Sequence, residues 1–297
     1  MAIYKIQNNT TNQLKLKEKG FGNEFGLRDF FAAGDNLLDV FGIHFLEKEY
    51  QIPSGRIDTL GIDEEGYPVI IEYKLRDNED MLSQGLYYLE WLKNNKSHFN
   101  LLVKDKLGKE VEVDWDRPRV ILIAQGFSKY LLSAVNTVQN VELKTYHLYE
   151  GDILQIENVS ENKIKTKNND SKILSINDKE KNHSFDYKYH TSLVGEKLLE
   201  KFESIRDILL ELPEVEEIAE QKSGITYRST KSFAKFEFRK TFIRLLVRQP
   251  RYTMDTENLV RDITGHNWGY LGAINITEDT NINKIIEIVK ESYNSTL

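Results

Sequence analysis

Apolar and polar positions in residues 55–75 follow the pattern of a β-hairpin. The sequence GRIDTLGIDEEGYPVIIEYKL has two apolar runs separated by the polar turn DEEGYP, in which Gly66 can adopt the positive φ that tight turns often require. Three charged residues nevertheless lie inside the runs, Asp58 in the first and Glu72 and Lys74 in the second. Charges are costly where a strand buries carbon, so these positions are candidates for chemistry.

Hairpin geometry predicts that the charged side chains converge on one patch. A three-residue turn centred on Glu65 would place Asp58 opposite Glu72 and Arg56 opposite Lys74. Glu72 and Lys74 lie two residues apart, and side chains on a strand alternate between its faces, so both point the same way. A slip of one residue in the register would change these partners, because it turns every side chain to the other face.

The chain around the hairpin alternates between helical and strand patterns, which is typical of an α/β fold. Apolar residues in DMLSQGLYYLEWLKNN recur at helical spacing, and Asp80 can cap this segment. We predict a helix over 23–42 interrupted at Gly34, a strand over 44–52, the hairpin, a helix over 80–95, a strand over 119–127, a helix over 129–138 and a hairpin over 141–159.

A polar stretch divides the chain. Residues 158–184 are dominated by Asn, Lys, Ser, Asp and Glu, which predicts a linker between a first domain over 1–157 and a second over 185–297. The patterns in the second domain indicate a small α+β fold. It would contain a helix over 191–212, two or three antiparallel strands within 225–248, a turn and a strand over 265–276 and a helix over 281–293.

Composition narrows the class of protein. The chain of 297 residues has no cysteine, which excludes disulfides and thiolate metal sites and fits a reducing cytoplasm. It lacks an apolar run of about 18 residues and an apolar signal core, so we expect neither a membrane span nor export. A net charge of −7 argues against nonspecific coating of nucleic acid but is compatible with a metal site built from carboxylates.

Two neighbouring carboxylates in an apolar hairpin need a compensating charge. Asp58 and Glu72 would repel each other, and each would lose hydration beside the apolar run PVII. A divalent cation removes both problems, since Mg²⁺ prefers oxygen ligands and retains water molecules that can attack a phosphorus atom. Lys74 can hold such a water or stabilise charge that develops on a phosphate. The hairpin is therefore a candidate site for phosphodiester hydrolysis.

The order of these residues resembles the PD-(D/E)XK nuclease signature. Asp58 is followed by thirteen residues and then by Glu72, a tyrosine and Lys74, with an apolar run before the second acid. Glu24, at the start of an upstream helix, resembles a glutamate that many members carry near the metal. The segment QGLYY, which begins at Gln84, resembles the Q-x-x-x-Y motif of the RecB-like branch.

Residues from about 20 to 140 are most similar to the branch of the superfamily with archaeal structure- and mismatch-directed endonucleases and their bacterial relatives. The proline expected directly before the first acid is missing, because Ile57 precedes Asp58 and Pro53 lies further upstream. The resemblance implies a restriction-endonuclease-like mixed sheet flanked by helices, followed here by the smaller α+β domain. It also implies a Mg²⁺-dependent endo- or exodeoxyribonuclease that acts on DNA, for which a homodimer would suit double-strand cleavage.

The resemblance further implies a metal site. Mg²⁺ or Mn²⁺ would be bound by Asp58, Glu72 and the backbone carbonyl of Tyr73, with Glu24 reaching the ion through water. A plainer alternative for Glu24 is a charge in the first turn of a helix, which the helix dipole favours. For the second strand, the alternative is an exposed edge strand on which Glu72 forms a salt bridge with the nearby lysine.

Other residues would contact the substrate. By the resemblance, Lys74 would position the attacking water, while Gln84 and Tyr88, one helical turn apart, would hold the substrate phosphate or brace Lys74. Arg56 would contact a phosphate or form a salt bridge. The alternative for the helix is a packed Tyr88 beside a solvated Gln84. For the chain as a whole, the alternative is a non-catalytic nucleic-acid-binding or protein-interaction module on a nuclease scaffold.

The second domain has a local excess of basic residues. Arg228, Lys235, Arg239 and Lys240 are its candidate nucleic-acid contacts, and phenylalanines alternate with the basic residues over part of this region. An ordinary sheet with an aromatic core and a solvated basic face would give the same pattern. The domain also resembles a small domain of unknown function that occurs alone or behind nuclease-like domains, which implies no activity.

Overall fold

The computed structural model describes residues 3–7, 10–14, 17–75, 80–108, 111–159, 185–264 and 269–297. The chain divides into two compact units, Met1–Leu37 with His44–Ile164 and Leu38–Ile43 with Lys165–Leu297. Most of the predicted linker, residues 160–184, lies outside the described residues, so the domain boundaries stay a prediction. In the described ranges no helix is long and apolar enough to cross a membrane.

A six-stranded mixed sheet forms the centre of the first unit. Strands β1 (Ile3–Gln7) and β2 (Thr10–Leu14) form a separate pair. The large sheet consists, in spatial order, of β3 (Ile43–Ile52), β4 (Gly55–Asp63), β5 (Pro68–Tyr73), β6 (Arg119–Ala124), β7 (Val141–Tyr149) and β8 (Ile153–Asn158). Strands β5, β6 and β7 run parallel, whereas β4 pairs antiparallel with β5 and β7 pairs antiparallel with β8.

Helices alternate with these strands as the α/β pattern predicts. They are α1 (Glu24–Phe31), α2 (Asn36–Phe41), α3 (Asp80–Asn94), α4 (Lys96–Leu107) and α5 (Lys129–Val135). The helix predicted over 23–42 is two helices, and Gly34 between them has a φ of 56°. The sequence did not reveal α4, because only Phe99 and Val103 of this helix are buried. The predicted mixed α/β fold is confirmed.

The hairpin has the predicted register. Thr59 pairs with Ile71 and Gly61 with Val69, the alignment that a three-residue turn centred on Glu65 requires. Gly66 in the turn has a φ of 89°, a conformation that favours glycine. Strand β5 lies between β4 and β6, and all its residues are buried. The interpretation of β5 as an exposed edge strand is therefore wrong.

Buried charges stabilise the turn end of this hairpin. Asp63 accepts hydrogen bonds from the backbone N–H of Glu65 (3.0 Å) and of Tyr67 (2.8 Å). Its other carboxylate oxygen pairs with Arg119 at the start of β6, and Arg119 lies 2.9 Å from Glu142 on β7. The contacts among Asp63, Arg119 and Glu142 link the strands β4, β6 and β7. Asp63 and Arg119 are both buried, in a region where an unpaired charge is costly.

We expect Arg119→Met to destabilise the protein by about 3–5 kcal/mol, because it leaves the Asp63 carboxylate buried without its cation. Chemical denaturation followed by circular dichroism measures the change. Lys17→Met is the matched control, since it removes a lysine from an exposed pair with Glu150 and should cost at most about 1 kcal/mol. Equal losses for the two variants would contradict the assignment of a structural network around Arg119.

The second unit is an antiparallel sheet covered by helices on one face. Its strands are β9 (Glu216–Gln221), β10 (Gly224–Arg228), β11 (Ser232–Arg239), β12 (Phe242–Val247), β13 (Arg261–Asp262) and β14 (Gly272–Ile276), in the spatial order β13-β14-β12-β11-β10-β9. Helices α6 (Tyr187–Thr191), α7 (Glu196–Glu211) and α8 (Ile282–Asn294) complete the smaller α+β fold. Its core contains Phe233, Phe236 and Phe238, which confirms the aromatic core of the alternative interpretation.

Candidate active site

The two acids of the hairpin are fixed by reciprocal hydrogen bonds. The backbone N–H of Asp58 donates to Oε1 of Glu72 (3.1 Å), and the backbone N–H of Tyr73 donates to Oδ2 of Asp58 (3.2 Å). Each carboxylate is thus anchored to the backbone of the opposite strand, and in the described ranges neither forms an ion pair with a basic side chain. This arrangement follows directly from the register of β4 and β5.

Glu72 lies in an environment that disfavours its ionised form. Only 2% of the residue is exposed. Burial and, second, the negative charge of Asp58 raise the pKa of Glu72 to about 9, although the backbone N–H of Asp58 and the charge of Lys74 act in the opposite direction. A bound divalent cation would reverse this preference, because it stabilises both carboxylates in their ionised form.

Lys74 follows the last residue of β5 and faces the start of α1. Its backbone N–H donates to the carbonyl of Ile123 on β6 (2.9 Å), which extends the strand by one residue. Its ammonium group lies 3.5 Å from the carboxylate of Glu24, and 17% of the side chain is exposed. Asn23 caps α1 by accepting a hydrogen bond from Gly26 N–H (2.8 Å), which places Glu24 in the first turn.

Helix α3 contributes Gln84 and Tyr88. The Tyr88 hydroxyl contacts the Gln84 side chain and the backbone of Arg56, and burial is the main cause that raises its pKa, so the hydroxyl keeps its proton and can donate. The ring lies against Gly55, where a Cβ atom would come within 2.9 Å of Tyr88. The small residue at the start of β4 therefore permits the close approach of Tyr88.

These side chains line a cavity of about 630 Å³. Seven of the residues predicted from the sequence line it, namely Glu24, Arg56, Asp58, Glu72, Lys74, Gln84 and Tyr88. Tyr73 is fully buried, and its ring stacks on Phe31 at 5.9 Å, so only its backbone can serve the site. The structure thus brings together in one cavity residues that are up to 64 positions apart in the chain.

Sequence reasoning missed other residues at the cavity. Phe25 and Arg28 line it, and Arg28 lies one helical turn after Glu24, a spacing that could have placed it on the same face. Arg28 and Arg56 both bind Glu49, at 2.8 and 2.9 Å. The contacts of Glu49 could not be inferred from the sequence, because the strand pattern of β3 indicates only which residues alternate between its faces.

The four predicted nucleic-acid contacts of the second unit differ in their surroundings. Arg228 and Arg239 each form an ion pair with a glutamate of the sheet, at 2.9 and 3.3 Å. Lys235 is buried on β11, and Lys240 is exposed in the turn that follows this strand. Lys240 and Arg239 are the members of this set that solvent reaches most readily.

The donor set of the cavity fits a cation that retains water. Among the residues that the structure describes, no three His, Cys, Asp or Glu side chains form a group that could hold a metal ion. The side-chain ligands would thus be Asp58 and Glu72, and the remaining positions would be filled by a backbone carbonyl and water. Mg²⁺ suits such a set, because it commonly binds one or two carboxylates and keeps several waters.

The cavity region is similar to a known protein domain, and the chain over most of its length is similar to another protein. Residues 23–113 match the model of the endonuclease NucS C-terminal domain. An uncharacterized protein of Haemophilus influenzae is 26% identical over 295 residues, which are 94% of this chain and 95% of the relative.

Solved structures give more distant matches. A repair endonuclease from Pyrococcus abyssi is 20% identical, with a TM-score of 0.28 over 43% of this chain and 46% of that one. An EndoMS–dsDNA complex is 21% identical, with a TM-score of 0.24 over 42% of this chain and 46% of that one. The chain therefore spans less than half the length of these structures. All the residues that line the cavity lie within the matched range 23–113.

Proposed function

We propose that the chain is a metal-dependent nuclease that hydrolyses phosphodiester bonds of DNA. The observation that carries the proposal is the pair Asp58 and Glu72, which share one end of the hairpin with Lys74 in the cavity and form no ion pair within the described ranges. The match of residues 23–113 to an endonuclease domain supports the same reaction class. The resemblance to mismatch-directed endonucleases makes DNA the substrate to test first.

Mg²⁺ or Mn²⁺ would be held by Asp58, Glu72 and the carbonyl of Tyr73, with Glu24 acting through water. The bound cation would lower the pKa of a water molecule and neutralise charge on the phosphate. With the cation bound, Asp58 and Glu72 would supply two negative charges at fixed positions, because backbone N–H groups anchor both side chains. Together with the signature spacing, this arrangement supports the PD-(D/E)XK assignment.

Lys74 would orient the attacking water and stabilise the developing charge on the phosphate. Glu24 holds its ammonium group at the edge of the cavity, so the lysine is positioned before substrate binds. The Tyr88 hydroxyl and the Gln84 amide would donate hydrogen bonds to a phosphate oxygen or brace Lys74, and Arg56 would contact a further phosphate. A homodimer would offer one such site to each strand of a duplex.

The second unit would add an accessory nucleic-acid surface. Lys240 is exposed and would reach a phosphate directly, whereas Arg239, which is also exposed, would first have to release Glu237, its partner at 3.3 Å. Arg228 would have to exchange its glutamate for a phosphate, and Lys235 would act from a buried position. The contribution of this surface would be electrostatic, so it would affect DNA affinity and its salt dependence more than the rate of cleavage.

The test is cleavage by the Lys74→Met variant. We expect its rate to fall by about 10²- to 10⁴-fold, because the lysine acts in proton transfer or charge stabilisation, while Mn²⁺ binding persists. Lys93→Met, in an exposed position of α3, is the matched control and should cleave normally. Undiminished cleavage by Lys74→Met would contradict the role of Lys74. Metal-dependent DNA binding without product in the wild type would instead favour the non-catalytic alternative.

A further inference from the structure

One wall of the cavity carries two arginines that share a carboxylate. Glu49 on β3 lies 2.8 Å from Arg28 of α1 and 2.9 Å from Arg56 of β4. A single acid thus fixes two guanidinium groups that come from different elements. Both arginines line the cavity that contains Asp58 and Glu72.

The backbone of Glu49 is strained. Its φ of 55° lies in the left-handed region, although Glu49 is not a glycine and sits inside a strand. Such a conformation persists only where the surrounding structure demands it, and these conformations cluster at functional sites. Here the strained residue is the one whose carboxylate reaches both arginines, which connects the backbone conformation with the position of the guanidinium groups.

The two arginines differ in what they can reach. The Arg28 side chain is 8% exposed and is enclosed by Glu49, by Asp29 at 3.2 Å and by the ring of Phe25 at 5.0 Å. The Arg56 side chain is 44% exposed. Arg28 is therefore a structural brace for Glu49, whereas Arg56 presents its guanidinium to a ligand in the cavity.

Within this cluster the charges favour an anionic ligand, and the acids Glu24, Asp58 and Glu72, which line the same cavity, would be offset by Lys74 and the proposed divalent cation. Arg28, Arg56 and Lys48 carry three positive charges, and Glu49 and Asp29 carry two negative charges, which leaves one positive charge in excess. Arg56 precedes Asp58 by two residues on β4, which corresponds to about 6.6 Å along a strand and is comparable to the separation of neighbouring phosphates in DNA. A guanidinium also matches the geometry of phosphate oxygens.

We propose that Glu49 is a positioning residue that holds Arg56 in place to bind a phosphate of DNA next to the one that is hydrolysed. The inference rests on the proposed function, since the metal-binding carboxylates define the phosphate that is cleaved. The negative charge of Glu49 would by itself repel DNA, whereas the proposed role of Glu49 favours DNA binding. Removal of this acid should therefore weaken DNA binding instead of strengthening it.

The experiment compares Glu49→Gln with Asp29→Asn, each in the full chain carrying Lys74→Met to prevent cleavage. Fluorescence anisotropy with a labelled oligonucleotide, single-stranded and duplex, gives the dissociation constant in Mg²⁺. We expect Glu49→Gln to weaken binding about fivefold, and Asp29→Asn, which removes the same charge from the same cluster, to leave it unchanged or tighter. Thermal melting confirms that both variants fold. Equal effects of the two substitutions would overturn the proposal.

A double-mutant cycle tests whether Glu49 acts through Arg56. Arg56→Gln should weaken binding about tenfold and reduce the slope of log K against log salt concentration by about one, as expected for one lost phosphate contact. Glu49→Gln should then add nothing in the Arg56→Gln background. An undiminished effect of Glu49→Gln in that background would overturn the positioning role.

The outcomes separate this proposal from the proposed function. If the wild type binds DNA without cleaving it and the cycle behaves as expected, the nuclease assignment fails and the role of Glu49 stands. If the wild type cleaves DNA and Glu49→Gln binds normally, the nuclease stands and the role of Glu49 fails. If the chain neither binds nor cleaves single-stranded, duplex, branched or mismatched DNA, both are overturned.

Discussion

Asp58→Asn is expected to lower the rate of DNA cleavage by about a thousandfold or more and to make the metal-free protein more stable. The catalytic loss follows because the cation contributes several kcal/mol of transition-state stabilisation and would lose one of its two side-chain ligands. The gain in stability, about 1–2 kcal/mol, follows because an amide oxygen still accepts the Tyr73 N–H, while the charge beside buried Glu72 disappears.

Cleavage assays in Mg²⁺ and chemical denaturation in EDTA at pH 8 measure the two effects. Asp105→Asn is the matched control, since it removes a carboxylate from an exposed position on α4 and should change neither quantity. A variant at position 58 that cleaves normally would exclude this acid as a metal ligand. A large loss of stability in EDTA would show that the charge of Asp58 supports the fold, which is the opposite of a charge retained for metal binding.

Divalent cations are expected to stabilise the protein far more at high pH than at low pH. The folded-state pKa of Glu72, about 9, lies above its ordinary value of 4.5. Between these two values the folded protein retains a proton that the unfolded chain has released, so the free energy of unfolding of the metal-free protein falls as the pH rises. Cation binding must displace this proton, so the apparent affinity increases with pH, by up to about tenfold per pH unit below the pKa.

Thermal melting at pH 6 and pH 8, with Mg²⁺ or with EDTA, measures this linkage. The metal-free melting temperature should fall between pH 6 and pH 8, and the increase caused by Mg²⁺ should be larger at pH 8. Glu72→Gln should abolish the fall in stability with pH and the response to Mg²⁺, because the amide neither titrates nor ligates well. It should leave the smaller, opposite trend of His44 and His190, whose pKa values burial lowers. A wild-type response to Mg²⁺ that is equal at both pH values would contradict a shifted titration of Glu72.

The hairpin site could be predicted because local pattern determines it. A glycine at the turn and two apolar runs set the register of β4 and β5, and the register alone brings Asp58 next to Glu72. Gln84 and Tyr88 could be placed on one face because the period of a helix is fixed. These predictions need only short-range geometry, and the cavity contains the residues that they name.

The cluster around Glu49 could not be predicted, because it depends on tertiary contacts and on an irregular strand. Buried residues in β3 do not alternate, and the positive φ of Glu49 breaks the period-two pattern from which strand faces are inferred. The contact between Tyr88 and Gly55 likewise joins a helix to a strand that is distant in the sequence. A glycine at the start of that strand is a weak indication of the contact. In the second unit, alternation predicted the aromatic core but not the burial of Lys235.

Incubation of the purified chain with labelled DNA tests the central claim most directly. Single-stranded, duplex, branched and mismatched oligonucleotides would be treated in Mg²⁺, Mn²⁺ or EDTA, beside the Asp58→Asn variant and an RNA of the same sequence. We expect products from at least one DNA substrate that depend on the metal and disappear in the variant. Metal-independent products, or products that Asp58→Asn forms equally well, would contradict a nuclease site built on Asp58 and Glu72.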